Sequence, residues 1–301
     1  MDLSRPFRVA DARAHGRSRA SIDSRYFEMP FHGIRAPRGA LDLVTRCRAF
    51  ALRMRSDAAF TGLTAAQLWG MPLPIGAANL ERLHVSVPHG RPRPRSRGVI
   101  GSERAADVDV IDFEGIPVLG PVATWASLGA SLGVLDLVAV GDHLLGDAHR
   151  PALATAEQLT EVARRRTRGA PRLRRAAPWM RFGSASRPET LSRVLLTAGG
   201  IPEPDLNCAI PGTWFTVDLA WPAARFGIEY QGHHHDSAAQ RAADIRRQEL
   251  IHDEGWLLME VTRVDLFDAP LAMLDRVARR LSERGMHVAP TNPPIWALPR
   301  R

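Results

Sequence analysis

Two hydrophobic periods organise this chain. From residue 184 onward, SRPETLSRVLLTAGG, AAQRAADIRRQELIHDEG and PLAMLDRVARRLSERG read as helices, the last with an apolar stripe at helical spacing. LNCAI, WFTVDLAW and RFGIEYQG read as strands, and WLLMEVT is an apolar run of buried-strand length. Pro188 and Glu189 fall in the first turn of the first helix, where a missing N–H and a negative charge are both favourable, and Gly199–Gly200 ends it. The order helix, three strands, helix, strand, helix predicts an α/β or α+β domain over residues 184–285, with 286–301 as a tail.

Upstream, FRVADARAHG has helical spacing and SRASIDSRY opens on Ser18, a capping residue, before the strand-like FEMPFHGIRAP. Residues 1–40 therefore predict a helix-turn-helix-like module with a wing, a geometry that serves DNA or protein packing. Residues 41–150 predict a second α/β region. Its helices are ALDLVTRCRAFALRM, TGLTAAQLWGMPLP (closed by Gly70 and Pro72), GPVATWASLGA and VLDLVAVGDHLLG, with RLHVSVP a strand and VDVIDFEGIPVL a hairpin. Residues 151–183 predict an Arg-rich helical linker broken at Gly169.

Composition narrows the partners. The 301 residues are 45% hydrophobic, enough for sizeable cores, and carry a net charge of +8 with a pI near 10.9. That balance favours polyanions, nucleic acid before membrane. All 40 basic residues are arginines, a bias that a GC-rich genome also produces, and no step of any reaction can use a lysine. Cys47 and Cys208 form no C-x-x-C pair, so a cysteine zinc site is not expected; two reduced, buried thiols are, with a disulfide between them as the alternative. The N-terminus lacks an apolar core of signal-peptide length. The longest apolar run, VLDLVAVGDHLL, is cut by Asp136 and Asp142, so no membrane span and a cytoplasmic protein are expected.

Strand alternation then sorts side chains by face. Thr216, Asp218 and Ala220 share one side of WFTVDLAW; Gly227, Glu229 and Gln231 share one side of RFGIEYQG. A hairpin about Ala223–Ala224 that keeps the apolar faces together sets Asp218 opposite Glu229 and Thr216 opposite Gln231. Directly opposed side chains have Cβ atoms about 4.5–5.5 Å apart, so two carboxylates there repel unless a cation or a proton lies between them. Both carboxylates facing water is the alternative. A hard divalent ion such as Mg²⁺ needs only one or two carboxylates besides water and phosphate oxygens.

The ordered set RPETLSRVLL, VDLAWP, IEYQGHHH, the Arg-rich helix with Asp244 and Arg247, and GWLLMEVTRVDL resembles the PD-(D/E)xK nuclease superfamily, in its branch related to very short patch repair endonucleases. The likeness covers roughly residues 184–284. Residues 7–147 resemble more loosely the winged-helix and antitoxin-like regions fused to such domains. The resemblance implies a restriction-endonuclease-like fold, a central mixed sheet flanked by helices. It implies metal-dependent hydrolysis of DNA phosphodiesters, with Asp218 and Glu229 binding Mg²⁺ (or Mn²⁺) and Glu189 completing the catalytic set. Gln231 stands where the family has Lys. An ammonium stabilises developing negative charge; a Gln amide only donates and accepts hydrogen bonds, which suits positioning a water.

His235 best fits a histidine common in that branch, as a general base or as a hydrogen-bond donor to a phosphate; a solvated loop helped by Asp236 and Ser237 is the alternative reading. Arg247 shares a helix face with Asp244, either clamping DNA or forming a salt-bridged surface. Arg91, Arg93, Arg95 and Arg97 alternate with proline in an exposed loop, for phosphate contact or as a solvated connection. The expected partners are DNA and, as an option, a second copy of the chain. The rival function is a DNA-binding antitoxin-type regulator with an inactive nuclease fold.

Overall fold

The computed structural model describes residues 1–39, 41–77, 82–231 and 238–300, with backbone alone for 238–244. The chain is mixed α/β and divides into two compact units, Met1–Leu128 and Gly129–Arg301.

The first unit opens with β1 (Phe7–Arg8), α1 (Val9–Ala14), α2 (Arg19–Ile22), β2 (Phe27–Glu28) and β3 (Ile34–Pro37). The strands form an antiparallel sheet in the order β1-β3-β2. Ser18 caps α2 by accepting the Ser21 N–H, and α2 is a single turn. Next come α3 (Leu43–Ala51), β4 (Ala59–Phe60), α4 (Gly62–Leu68), β5 (Leu83–Pro88), β6 (Val99–Arg104), β7 (Val110–Phe113), β8 (Ile116–Leu119) and α5 (Pro121–Leu128). Their mixed sheet runs β6-β5-β4-β8-β7, and Phe50, Phe60, Val85 and Val118 lie in the core beside it. The β7–β8 hairpin turns through Glu114 and Gly115, both at positive φ.

The second unit begins earlier than the sequence boundary at residue 150. It contains α6 (Val134–Leu145), α7 (Ala156–Arg164), α8 (Ala170–Ala176), α9 (Arg187–Ala198), β9 (Asp205–Ala209), β10 (Thr216–Trp221), β11 (Phe226–Gln231), α10 (Ala238–Asp253), β12 (Leu257–Thr262), α11 (Arg263–Phe267) and α12 (Pro270–Glu283). α6 is buried nearly all round. Such a helix needs partners on every side, and it finds them in α8 and α9, so the Arg-rich segment packs into this unit instead of merely linking to it. The tail also packs: Thr291 donates to the Gly199 carbonyl (2.8 Å), and Trp296 meets Trp179 edge-on at 5.2 Å.

Asp142 of α6, read from sequence as a break in an apolar run, lies at the centre of this packing. Its carboxylate accepts from the Arg181 N–H (2.7 Å), the Thr190 hydroxyl (2.7 Å) and Arg193 Nη2 (2.8 Å). Arg193 is itself 0% exposed and also donates to the Trp179 carbonyl at 2.9 Å. Paired and hydrogen-bonded, these charges fix α6 against α9 and hold the start of α9 in place for the site below.

The sheet of this unit runs β12-β11-β10-β9, antiparallel except for the β11–β12 pair. α10 is the crossover that a parallel pair requires. Pro222 starts a one-turn 3₁₀ connection and Arg225, at φ 45°, completes the β10–β11 turn. Trp221 and Phe226 stack across it with ring centres 5.6 Å apart.

Candidate active site

The β10–β11 ladder pairs Trp221 with Phe226, Ala220 with Gly227 and Leu219 with Ile228, the register that apolar alternation requires. It then stops one step short of the expected Asp218–Glu229 pair. There the Asp218 carboxylate, through Oδ2, accepts the Tyr230 N–H at 2.9 Å. Strict alternation fails at the same place: Val217 joins Ala220, Ile251 and Trp256 in one apolar cluster. A carboxylate that captures a strand amide explains the break, because the backbone N–H is satisfied without continuing the ladder.

Asp218 is half-buried, and burial pushes its carboxyl up to about 6. The Tyr230 N–H opposes that rise and the Glu189 charge adds to it. Burial also raises Glu229, opposed chiefly by Arg247 and reinforced by Asp218 and Glu260. Like charges thus act along a chain, Glu189 on Asp218 and Asp218 and Glu260 on Glu229, without the directly opposed Asp218–Glu229 pair.

Glu189 reaches this group from the start of α9. Ser186 caps the helix by accepting the Glu189 N–H (3.4 Å), and the buried Glu189 carboxylate accepts the Ala185 N–H (2.9 Å). A negative charge in the first turn also complements the helix dipole. Glu189 thus stabilises its own helix while its field bears on Asp218.

Arg247 lies on Glu229. Nη1 donates to Oε2 at 2.9 Å and Nη2 donates to Oε1, a forked pair; Nη2 also meets the Thr216 carbonyl at 3.3 Å. Its guanidinium stands 5.3 Å from the centre of the Phe215 ring. The pair is not sealed: the side chains are 30% and 13% exposed. Of the two sequence readings of Arg247, DNA clamp or ion-paired side chain, the second describes this arrangement.

Glu260, overlooked in the sequence, is the parallel-strand partner of Glu229 and accepts from Gln248 Nε2 at 3.4 Å. A charge inside the apolar run WLLMEVT was its available signal, but only the strand pairing places it beside Glu229. Gln231 ends β11 with an exposed side chain. His235, with His233 and His234, lies outside the described residues.

The loop arginines belong to the first unit. Arg93 pairs with Glu103 (2.8 Å) and Arg91 with Asp57 (3.6 Å), whereas Arg95 and Arg97 are exposed and, among the described residues, in no ion pair. Cys47 is a buried free thiol pushed up to about 12 by that burial; Cys208 is also free but only half-buried, unlike the expectation. Among the described residues no helix is long and apolar enough to cross a membrane.

Among the described residues, no three His, Cys, Asp or Glu side chains form a group able to hold a metal ion as an all-protein cage. Mg²⁺ does not require one, and oxygen donors on two carboxylates suit its chemistry. Asp218, whose Oδ2 is held by a single N–H, fits such an ion directly. Glu229 fits only after exchanging its guanidinium for the ion.

No family model matches the chain. It is similar to two uncharacterized proteins of Mycobacterium tuberculosis, MT2308 of strain CDC 1551 and Rv2248 of strain H37Rv. Each is 26% identical over 250 residues, covering 81% of this chain and 89% of the relative. A crystal structure of the RV2827C protein from Mycobacterium tuberculosis aligns at a TM-score of 0.36 and 19% identity, over 56% of this chain and 64% of that one.

Proposed function

We propose that the C-terminal unit is a metal-dependent DNA endonuclease with a restriction-endonuclease-like core. The observation that carries this reading is the Asp218 centre. A carboxyl raised to about 6 on β10 adjoins Glu229 on β11 and lies in the field of Glu189 from the preceding helix. Half-buried like charges clustered on a sheet destabilise the fold and support a reaction centre over a device for stability. The element order also supports the reading, since Glu189 comes from helix α9 and Asp218 and Glu229 from the neighbouring strands β10 and β11.

Asp218 and Glu229 would hold Mg²⁺ or Mn²⁺. When bound, such an ion polarises a phosphoryl oxygen and lowers the pKa of water. The chain's own groups do the rest. The Tyr230 N–H fixes Asp218, and Glu189 keeps its proton affinity high in the absence of a cation. Arg247, released from Glu229, offers its fork to a phosphate and supplies the positive charge that Gln231 lacks. Gln231 orients the nucleophile by hydrogen bonding.

A second reading, a DNA-binding regulator of the antitoxin type with an inactive centre, is favoured by one observation: Arg247 pairs with Glu229. Plasmid nicking with Mg²⁺ or Mn²⁺ separates the two. The nuclease reading expects ion-dependent nicking by the wild type, abolished by EDTA and by Asp218→Ala. Equal background rates from wild type and variant, both folded and DNA-bound, would reject it in favour of the regulator.

A further inference from the structure

The α7–α8 turn presents a second, differently built array of charge. Between residues 164 and 175 the chain places seven arginines, and no acidic residue occurs from 162 to 182. Arg164, Arg166, Arg168, Arg174 and Arg175 are exposed, and among the described residues none of the five takes part in an ion pair. The contrast with the proline-rich loop is direct, since Arg91 and Arg93 there already face Asp57 and Glu103.

The platform beneath these side chains is fixed. Leu159, Ala163, Ala170, Leu173 and Ala176 are buried under it. Gly169, at φ 90°, brings the turn so close to the Gly129 backbone that a Cβ would collide there. Arg172 ties the turn down by donating to the Gly129, Ala130 and Leu132 carbonyls, each at 3.4 Å. The dipole of α7 accounts for Arg164 at its C-terminal end. The dipole of α8 likewise accounts for Arg174 and Arg175 in its last turn, but neither helix accounts for Arg166 and Arg168.

We infer that this turn is a binding surface for the phosphodiester backbone of nucleic acid, in the same compact unit as the carboxylate centre. The inference rests on the nuclease reading for its choice of polyanion. An anionic membrane is the poorer fit. Interfacial helices insert Trp, Phe or Leu beside their cations, and here the apolar residues of the segment point into the core. Five separate guanidiniums, three on the α7–α8 turn and two at the end of α8, suit repeated phosphates, which arginine binds through its planar fork. The surface carries no base-reading geometry, so its contribution is affinity and positioning, the same for every sequence.

The test is the salt dependence of binding to a fluorescent DNA duplex, in EDTA, so that cleavage plays no part. Full-length wild type is compared with Arg166→Gln/Arg168→Gln/Arg175→Gln. A control, Arg279→Gln/Arg280→Gln, removes exposed arginines whose carboxylate partner is Glu283. Each lost phosphate contact lowers the slope of log affinity against log salt by about 0.9, so the triple variant should lose about 2.7 and the control less than 0.9. A wild-type slope in the triple variant, or equal losses in triple variant and control, would overturn the assignment. So would a triple variant that keeps its DNA slope but loses binding to phosphatidylserine vesicles. Because binding is read without metal, a protein that binds through this turn yet never nicks DNA refutes the nuclease reading alone. One that nicks DNA with an unchanged slope refutes the surface alone.

Discussion

Two arginine–carboxylate pairs in the C-terminal unit look alike and do opposite things. Asp142–Arg193 is sealed, at 1% and 0% exposure, and every oxygen of the carboxylate is used. Glu229–Arg247 is forked but partly open; the charges of Asp218 and Glu260 bear on Glu229, and that of Glu189 on Asp218. The first belongs to a balanced set, with Arg193 and Arg181 facing Asp142 and Glu203, and both oxygens of Asp142 are bonded although Arg193 Nε has no partner. The second has an excess of negative charge that a single guanidinium does not cancel. Charge balance, more than geometry, separates the pair that holds the fold from the one that the proposed reaction would open.

Arg193→Met breaks the comparison at its strong end. It leaves Asp142 buried and unpaired, and such a loss costs about 3–5 kcal/mol. A sharp fall in the denaturant midpoint is expected. Replacing Asp142 by Leu in the same background should recover much of it, because removing both charges avoids the desolvation penalty.

Asp218→Asn sharpens the other end. The folded-state pKa of about 6 lies above the ordinary 3.8, so the folded chain holds the proton more tightly than the unfolded one. Wild-type stability therefore falls as pH rises from about 4 to 6 and stays reduced above that. The variant escapes the penalty. Its gain over wild type should be near zero at pH 3.5 and reach up to about 3 kcal/mol at pH 8, at 1.36 kcal/mol per pKa unit. Thermal melts across that range check the sign; a gain that shrinks with rising pH would contradict the assignment.

Arg247→Gln has the smallest expected effect on stability, below about 1 kcal/mol, because Glu229 can take up a proton or water in place of the half-exposed guanidinium. A loss as large as that of Arg193→Met would make the two pairs equivalent and remove the distinction drawn between them.

Much of this was legible in the sequence. The strands around Asp218 and Glu229 follow from period-two alternation, and Leu219–Ile228 follows from keeping apolar faces together. Ser186, Pro188 and Glu189 mark the start of α9 by capping chemistry. What was not legible depends on contacts between distant segments. Asp142 and Arg193 are 51 residues apart and each reads alone as a flaw in an apolar helix. Glu260 acquires meaning only from a parallel pairing, and α6 joins the second unit only because α8 and α9 cover it. The interruption at Asp218 escaped because alternation assumes that main-chain amides bond to carbonyls, and here one bonds to a carboxylate.

The most direct test of the central claim is Mn²⁺ binding by calorimetry at pH 5 and pH 7.5, on wild type and Asp218→Asn. Wild type should bind one ion per chain at pH 7.5 and more weakly at pH 5, where the Asp218 proton must first be displaced. The variant should bind far more weakly at both. No heat from the wild type, or equal affinity in the variant, would mean that these carboxylates do not form a metal centre.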